Sequence, residues 1–226
     1  MTWDAVFFDL DDTLYSRADA FTRTVRRFSA EFVTPGIEVD FHSAQVAAAS
    51  EPAETLKGVG QDRHWLLVFD FIKGRHPEIQ QTTTELVAWY RDELIAQMEP
   101  DPGLEPVLNQ LQSSGTPYGI ITNGDLFQLR KIDRLGLDVP RERIIMSDVE
   151  GASKPDPAIF ALAKDRMSLQ PGARMLMIGD NPEADIAGAN AAGMSTAWMK
   201  MGRSWQHGEP TPDLQLDSLV DLIRHL

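Results

Sequence analysis

Residues 5–14 read AVFFDLDDTL, in which four apolar residues are followed by three carboxylates within four positions. A short apolar run with aromatic residues predicts a buried β-strand. Side chains alternate along a strand, so Asp9 and Asp11 point the same way if the chain stays extended. The carboxylates repel one another at neutral pH, and we expect a cation beside them. A capping role at the start of the next helix is the alternative that this stretch alone leaves open.

The composition is that of an ordinary globular protein. With 226 residues and 42% hydrophobic content, the chain can form one sizeable domain, or one domain with a smaller insert. The net charge of −13 disfavours nucleic acid polymers and anionic membranes as partners. The absence of cysteine excludes disulfides, thiolate chemistry and Cys-bound metals. Because we find neither a signal peptide nor an apolar run of the ~20 residues that span a bilayer, we expect a cytoplasmic protein.

The segment from residue 16 to about residue 97 predicts helices only. Apolar residues recur there at helical spacing, for example Phe21, Val25 and Phe28. Aromatic residues at the same spacing are predicted to form the interior of this helical block rather than a surface that stacks on a ligand: Trp65, Phe69, Trp89 and Tyr90.

A different pattern begins after residues 99–103, EPDPG, which have the composition of a linker or tight turn. Short β-rich runs then alternate with helical segments, which predicts an α/β fold with a parallel sheet and helices on both faces. The predicted strands are 118–121, 144–146, 175–178 and 196–199. We predict a surface loop for residues 202–213 and an amphipathic helix for residues 216–226.

Polar residues that could take part in binding or catalysis follow the ends of these strands. Ligands of open α/β sheets bind beyond the carboxyl ends of the strands, so these residues should share one site. They are Asp9 and Asp11 after strand one, Thr122, Asn123 and Gly124 after strand two, Lys154 after strand three, and Asp180 after strand four, with Asp185 one turn further on. Each alone has an ordinary explanation as a turn, an exposed lysine or a helix cap, but the full set predicts a functional site.

The motifs DLDDT, TNG, SKPDP and GDNPEAD, in this order and each after its own strand, resemble the four motifs of the haloacid dehalogenase (HAD) superfamily. The helical block resembles the helical cap of the superfamily's first subfamily. The resemblance implies a Rossmann-like, doubly wound parallel sheet core formed by residues 1–15 and 98–226. It also implies an inserted all-helical cap formed by residues 16–97.

The resemblance implies that two carboxylates of the first motif catalyse a reaction at a phosphoryl group through a covalent intermediate. Asp9 is expected to attack phosphorus and form an aspartyl-phosphate, and Asp11 to act as general acid and then as general base. Dehalogenases attack carbon and lack an acid at the position of Asp11, so this residue favours a phosphatase.

The resemblance also implies Mg²⁺ as cofactor and a set of residues around it. The expected metal ligands are Asp9, the main-chain carbonyl of Asp11, and Asp180, with Asp185 acting through water or from outside the direct ligands. The expected phosphate-binding groups are Lys154, the Thr122 hydroxyl and the amides around Asn123 and Gly124.

Five nearby residues receive smaller predictions. Asp12 is expected to be structural or solvent-facing, Thr13 to order the turn, and Asp125 to cap the helix after TNG. Tyr15 and Ser16 lie where the first motif leads into the cap, so we expect them to border the pocket.

The expected substrate is a small phosphorylated metabolite. Several stretches resemble bacterial house-cleaning 5'-nucleotidases that act on nucleoside monophosphates. Phosphatases of a sugar phosphate, phosphoglycolate or flavin mononucleotide remain alternatives, as does a phosphomutase. A phospho-accepting signalling domain is the alternative from another class, but it needs neither the second acid nor the helical insert. We expect a monomer or a homodimer.

Overall fold

The computed structural model describes residues 3–32, 37–50, 62–206, 208 and 210–226. The chain divides into two compact units, one formed by Met1–Arg17 with Glu99–Leu226 and the other by Ala18–Met98. Residues 33–36 and 51–61 of the predicted cap lie outside the described residues. No helix in the described part of the chain combines the length and the apolar character that crossing a bilayer requires.

The described helices follow one another along the chain in both units. They are α1 (Arg17–Phe32), α2 (Ile37–Ser50), α3 (Arg63–Arg75), α4 (Thr83–Gln97), α5 (Leu104–Ser114), α6 (Phe127–Arg134), α7 (Ser147–Glu150), α8 (Pro157–Arg166) and α9 (Gly188–Ala191). Short 3₁₀ helices span Arg141–Arg143 and Leu219–His225, and one turn of π-helix spans Pro182–Ala187.

The first unit contains a six-stranded sheet in which every neighbouring pair is parallel. Its strands are β1 (Ala5–Phe8), β2 (Tyr118–Thr122), β3 (Ile144–Met146), β4 (Met175–Gly179), β5 (Ser195–Met199) and β6 (Leu214–Leu216). The strand order is β3-β2-β1-β4-β5-β6, so the chain builds outward from β1 in one direction and then in the other. The predicted α/β, doubly wound parallel sheet is confirmed.

The apolar character of the strands follows from burial on both faces of the sheet. All four residues of β1 are at most 1% exposed. Phe7 belongs to a buried cluster with Ile121 and Met177 from the two neighbouring strands, and with Ile159 and Phe160 of α8. Parallel sheets covered on both faces need such continuous hydrophobic runs rather than alternation.

The C-terminal prediction was wrong in part. The described residues of the predicted loop, 202–213, form neither helix nor strand, as expected. The structure then has strand β6, which was not predicted, and a 3₁₀ helix over Leu219–His225 in place of the amphipathic helix. Strand β6 has only three residues and an exposed glutamine, Gln215, at its centre, so it lacks the apolar run that reveals a strand. It is held by pairing with β5, a tertiary interaction.

The second unit has an aromatic interior to which helices α1, α2, α3 and α4 contribute. The ring of Phe28 from α1 lies 5.1 Å from Phe41 of α2 and 5.7 Å from Phe69 of α3, measured between ring centroids. Trp65 of α3 and Tyr90 of α4 lie 3.9 Å apart. Phe69 and Tyr90 are at most 2% exposed, so these two rings pack inside the unit.

Candidate active site

The carboxyl ends of β1, β2 and β4 meet at one edge of the sheet because these strands are neighbours and parallel. The chain order reverses between β1 and β4, and this switch point is where open α/β sheets form a crevice. A cavity of about 170 Å³ lies there. Its lining includes every predicted site residue except Gly124: Asp9, Asp11, Thr122, Asn123, Lys154, Asp180 and Asp185.

Gly124 lies beside this cavity but does not line it. Its N–H donates a hydrogen bond to the Ser147 hydroxyl at 2.9 Å. The side chain of Asn123 is similarly engaged, since it donates to the carbonyl of Lys154 at 3.0 Å and accepts from the N–H of Lys154 at 2.9 Å. Asn123 therefore joins the end of β2 to the segment that carries Lys154.

Lys154 is the central cation of the site. Its ammonium donates to Asp9 and to Asp185, both at 2.6 Å. All three residues are at most 7% exposed. Burial disfavours the ammonium form, but the charges of Asp185 and Asp9 outweigh burial and raise the pKa of Lys154. Lys154 therefore supplies a cation beside the first motif.

Three carboxylates converge on one point of the cavity. One oxygen from each of Asp9, Asp180 and Asp185 lies within 4.8 Å of the other two. Burial, followed by the charge of Asp185, raises the pKa of Asp9 to about 7 against the opposing effect of Lys154. Burial and the charges of Asp185 and Asp12 raise the pKa of Asp180 to about 6. Hard oxygen donors that repel one another in this way suit Mg²⁺, so the residues fit the predicted metal.

The carboxylate of Asp11 has a different environment from that of Asp9. It accepts hydrogen bonds from Lys131 at 2.7 and 3.0 Å, from Gln128 at 3.0 Å, and from the hydroxyl of Tyr15. Burial alone would raise the pKa of Asp11, but the charge of Lys131 and these hydrogen bonds bring it below its usual value. The site thus contains two carboxylates, Asp9 and Asp11, whose pKa values are displaced in opposite directions.

Sequence reasoning missed Gln128, Lys131 and Arg203. Gln128 and Lys131 lie three positions apart on one face of α6, and their spacing just after the TNG motif is the signal that indicates them. Arg203 lies in the predicted loop and donates to the main-chain carbonyl of Asp180 at 2.8 Å and to its carboxylate at 3.0 Å. No local pattern marks that arginine.

The smaller predictions have different outcomes. Asp12 accepts from the main-chain N–H of Arg17 at 2.8 Å and so caps the start of α1, a structural position. Asp125 accepts from the N–H of Phe127 at 2.7 Å at the start of α6. Thr13 is 2% exposed, but its hydroxyl has no hydrogen-bond partner among the residues that the structure describes, so the expected turn-ordering bond is not seen there. Neither Tyr15 nor Ser16 lines the cavity, although the hydroxyl of Tyr15 donates to Asp11.

Comparison with known proteins agrees with this geometry. A family model of haloacid dehalogenase-like hydrolases matches residues 3–193. The glyceraldehyde 3-phosphate phosphatase of Methanopyrus kandleri is 32% identical over 98% of this chain and 97% of its own length. The pyrimidine 5'-nucleotidase YjjG of Escherichia coli is 28% identical over the same shares of the two chains.

Among solved structures, the magnesium-bound HAD-hydrolase YfnB of Bacillus subtilis superposes with a TM-score of 0.75 at 22% identity, covering 100% of this chain and 99% of that one. At this identity the likeness concerns the fold. The family match extends over most of the chain, and the chain therefore belongs to the haloacid dehalogenase-like hydrolases. The resemblance inferred from the four motifs, and the assignment as an enzyme, are confirmed.

Proposed function

We propose that this hydrolase is a Mg²⁺-dependent phosphatase of small phosphomonoesters that works through an aspartyl-phosphate on Asp9. The observation that carries the proposal is the pair of carboxylates in unlike environments. Asp9 is held by Lys154 among the carboxylates, whereas Asp11 is held separately by Lys131 and Gln128. The two carboxylates are held by separate sets of groups, Asp9 inside the acidic cluster and Asp11 outside it, which suits a division of roles in catalysis. A bound Mg²⁺ would favour the ionised, nucleophilic form of Asp9.

In the first step, an oxygen of Asp9 attacks phosphorus and the bond from phosphorus to the ester oxygen breaks. The leaving alkoxide takes a proton from Asp11 and departs as an alcohol. Asp11 needs its proton for this step, although Lys131 favours its ionised form in the unliganded protein. A phosphate dianion bound nearby raises the pKa of Asp11, because like charges disfavour ionisation. Substrate binding itself thus favours the acid form.

In the second step, a water molecule attacks the phosphorus of the aspartyl-phosphate. Asp11 now accepts the proton of that water, Asp9 is released as a carboxylate, and inorganic phosphate leaves. The proton gained by Asp11 is available for the next leaving group. A halide leaving group needs no proton, so the presence of Asp11 favours phosphoester over carbon–halogen hydrolysis.

Several residues assist both steps. Lys154 offsets the charge of Asp9 and of the transferring phosphoryl group. Thr122 lines the same cavity, where its hydroxyl would donate to phosphate oxygens. Asp9, Asp180 and the main-chain carbonyl of Asp11 would hold Mg²⁺, with Asp185 acting through water. When bound, the ion supplies charge neutralisation at the phosphoryl oxygens.

The substrate proposal covers two classes. The match to a glyceraldehyde 3-phosphate phosphatase at 32% identity favours a small sugar or triose phosphate. The 28% identity to a pyrimidine 5'-nucleotidase supports a nucleoside monophosphate as the second candidate. The predicted division into residues 1–15 with 98–226 and residues 16–97, the cytoplasmic location, and the monomeric or homodimeric state remain part of this proposal.

The test is a panel of phosphomonoesters assayed for phosphate release with Mg²⁺ and with chelator. It includes triose phosphates, other sugar phosphates, phosphoglycolate, nucleoside monophosphates and flavin mononucleotide. We expect metal-dependent, sustained turnover, and Asp9→Asn and Asp11→Asn are each expected to abolish it. Asp165→Asn, an exposed change on α8, is the matched control and should turn over normally. Metal-independent release, or full activity of Asp9→Asn, would contradict the mechanism. A single stoichiometric phosphorylation without turnover would indicate the signalling-domain alternative.

A further inference from the structure

Lys131 and Gln128 are unusual among the polar residues of α6 because both are buried. Lys131 is 7% exposed and Gln128 is 3% exposed. Lysine and glutamine are rarely buried unless their polar groups are satisfied. Both side chains direct these groups to the carboxylate of Asp11, from positions 120 and 117 residues away in sequence. Their burial therefore serves contacts with one side chain of the candidate site.

The hydrogen bonds leave Asp11 a single orientation. Lys131 bridges both carboxylate oxygens, at 2.7 and 3.0 Å. Gln128 donates to one oxygen at 3.0 Å, and the hydroxyl of Tyr15 donates to the other. Donors on both oxygens oppose rotation of the carboxylate about its own axis. Charge-assisted bonds of this length are also the stronger kind.

Gln128 also connects the acid to the predicted phosphate-binding group. Its amide nitrogen donates to the hydroxyl of Thr122 at 2.6 Å as well as to Asp11 at 3.0 Å. An amide nitrogen carries two hydrogens, so both bonds can form together. The distance between Asp11 and Thr122 is thereby set through one side chain.

Stability alone does not account for Lys131. Replacing a buried ion pair with apolar residues is often neutral or stabilising. The apolar stem of Lys131 is already enclosed, with its ammonium 5.6 Å from the ring centroid of Phe127 and 5.9 Å from that of Tyr15. Removing Lys131 alone, by contrast, would leave the Asp11 carboxylate without its counter-charge, which is costly in a buried pair. Because an apolar pair would serve the fold as well, the presence of the ion pair indicates a requirement of the site.

We infer that Lys131, assisted by Gln128, is a positioning residue for the acid–base chemistry of Asp11. The two side chains hold the Asp11 carboxylate apart from the carboxylates of Asp9, Asp180 and Asp185, so that it meets the leaving oxygen instead of joining them. The inference rests on the proposed phosphatase function and adds residues to it. It assigns to α6 a part in catalysis beyond supporting the sheet.

The test compares two substrates whose leaving groups differ in their need for a proton. Glycerol 3-phosphate releases an alkoxide that must be protonated, whereas 2,4-dinitrophenyl phosphate releases a stable phenolate. Single-turnover rates of alcohol and of dinitrophenolate release isolate the first step of the reaction for each. The variants are Lys131→Met, Lys131→Arg and Gln128→Leu. Lys164→Met is the matched control, because Lys164 is a partly buried lysine of α8 that donates to a main-chain carbonyl of Ala192, away from the site.

For Lys131→Met we expect a fall of about 10²-fold or more with glycerol 3-phosphate, the usual range for lost acid catalysis. The fall with dinitrophenyl phosphate should stay under about tenfold, with KM changed little for either substrate. Lys131→Arg should recover part of this loss. Gln128→Leu should lose more activity with glycerol 3-phosphate than with dinitrophenyl phosphate, but less than Lys131→Met loses. Lys164→Met should match wild type.

Equal losses on both substrates, or an effect on KM alone, would overturn the inference while leaving the phosphatase proposal intact. Wild-type protein that hydrolyses neither these two esters nor any phosphomonoester of the panel would overturn both. Thermal unfolding of each variant checks that it is folded. If Lys131→Met fails to fold, the selectivity of Gln128→Leu decides the matter by the same criterion.

Discussion

Gly179, the last residue of β4, offers a sharp test of how the site is built. A Cβ added there would lie 2.3 Å from both the Cγ and the Oδ2 atom of Asp185, where ordinary contact begins at 3.4 Å. Gly179→Ala therefore requires a displacement of about 1 Å, either of Asp185 or of the strand. The backbone of Gly179 is not in the positive-φ region, so the effect is one of space alone.

Neither group can move easily. Asp185 is 1% exposed and accepts from Lys154 at 2.6 Å and from the N–H of Asn181 at 2.9 Å. Strand β4 is paired with β1 on one side and with β5 on the other. Overpacking of this kind costs about 1–3 kcal/mol. For a chain of this size, each kcal/mol lowers Tm by roughly 2–4 °C.

Catalysis should be affected as well as stability. Lys154 bridges Asp185 and Asp9, so a shift of Asp185 is passed on to the proposed nucleophile. A misplacement of ~1 Å in a catalytic group costs about 10²-fold in rate. The assay is kcat with the best phosphomonoester of the panel, measured well below the Tm of the variant.

Two glycine controls separate a loss of stability from a loss of catalysis. Gly119→Ala in β2 places a Cβ 2.8 Å from the carbonyl oxygen of Arg143 and 3.3 Å from the ring of Phe7, away from the site residues. It should lose stability and keep its kcat. Gly74→Ala in α3 meets nothing within 4 Å and should keep both. If Gly179→Ala retains wild-type kcat, or if Gly119→Ala loses as much, the proposed link from Asp185 through Lys154 to Asp9 is refuted.

Two further predictions concern metal binding and the helical unit. Burial raises the pKa of Asp9 to about 7 and of Asp180 to about 6, so Mg²⁺ must displace protons from these groups in this range. Calorimetry should show Mg²⁺ affinity rising from pH 5.5 to 8 with proton release near pH 6–7, and an affinity independent of pH would contradict this. Thr82 caps α4 in a capping box with Glu85, so Thr82→Ala should lower the unfolding free energy by about 1 kcal/mol, while Thr82→Ser changes it little in the same thermal melts.

The parts of the site that were predicted from the sequence share one property, which is position in the chain relative to a strand. Asp9, Thr122 and Asp180 each follow an apolar run, and parallel strands bring their carboxyl ends together in any such sheet. The position of each residue directly after an apolar run is therefore enough to locate it in the sequence. The α/β class and the family follow from the same local patterns.

The contacts that orient these residues depend on tertiary structure. Asp11 is held by Lys131, 120 positions further along the chain, and Asp180 by Arg203 from a segment without periodicity. Strand β6 forms because β5 offers a pairing edge, although its own residues carry little strand signal.

The opening stretch AVFFDLDDTL shows where this division falls. Its sequence by itself determined a buried strand that ends in carboxylates, because alternation and hydrophobicity are local properties. Only the tertiary structure decided that Asp9 faces Lys154 and Asp185, that Asp11 faces Lys131 and Gln128, and that Asp12 caps α1. The environment of a carboxylate, and with it its pKa, is set by groups that folding brings from distant parts of the chain.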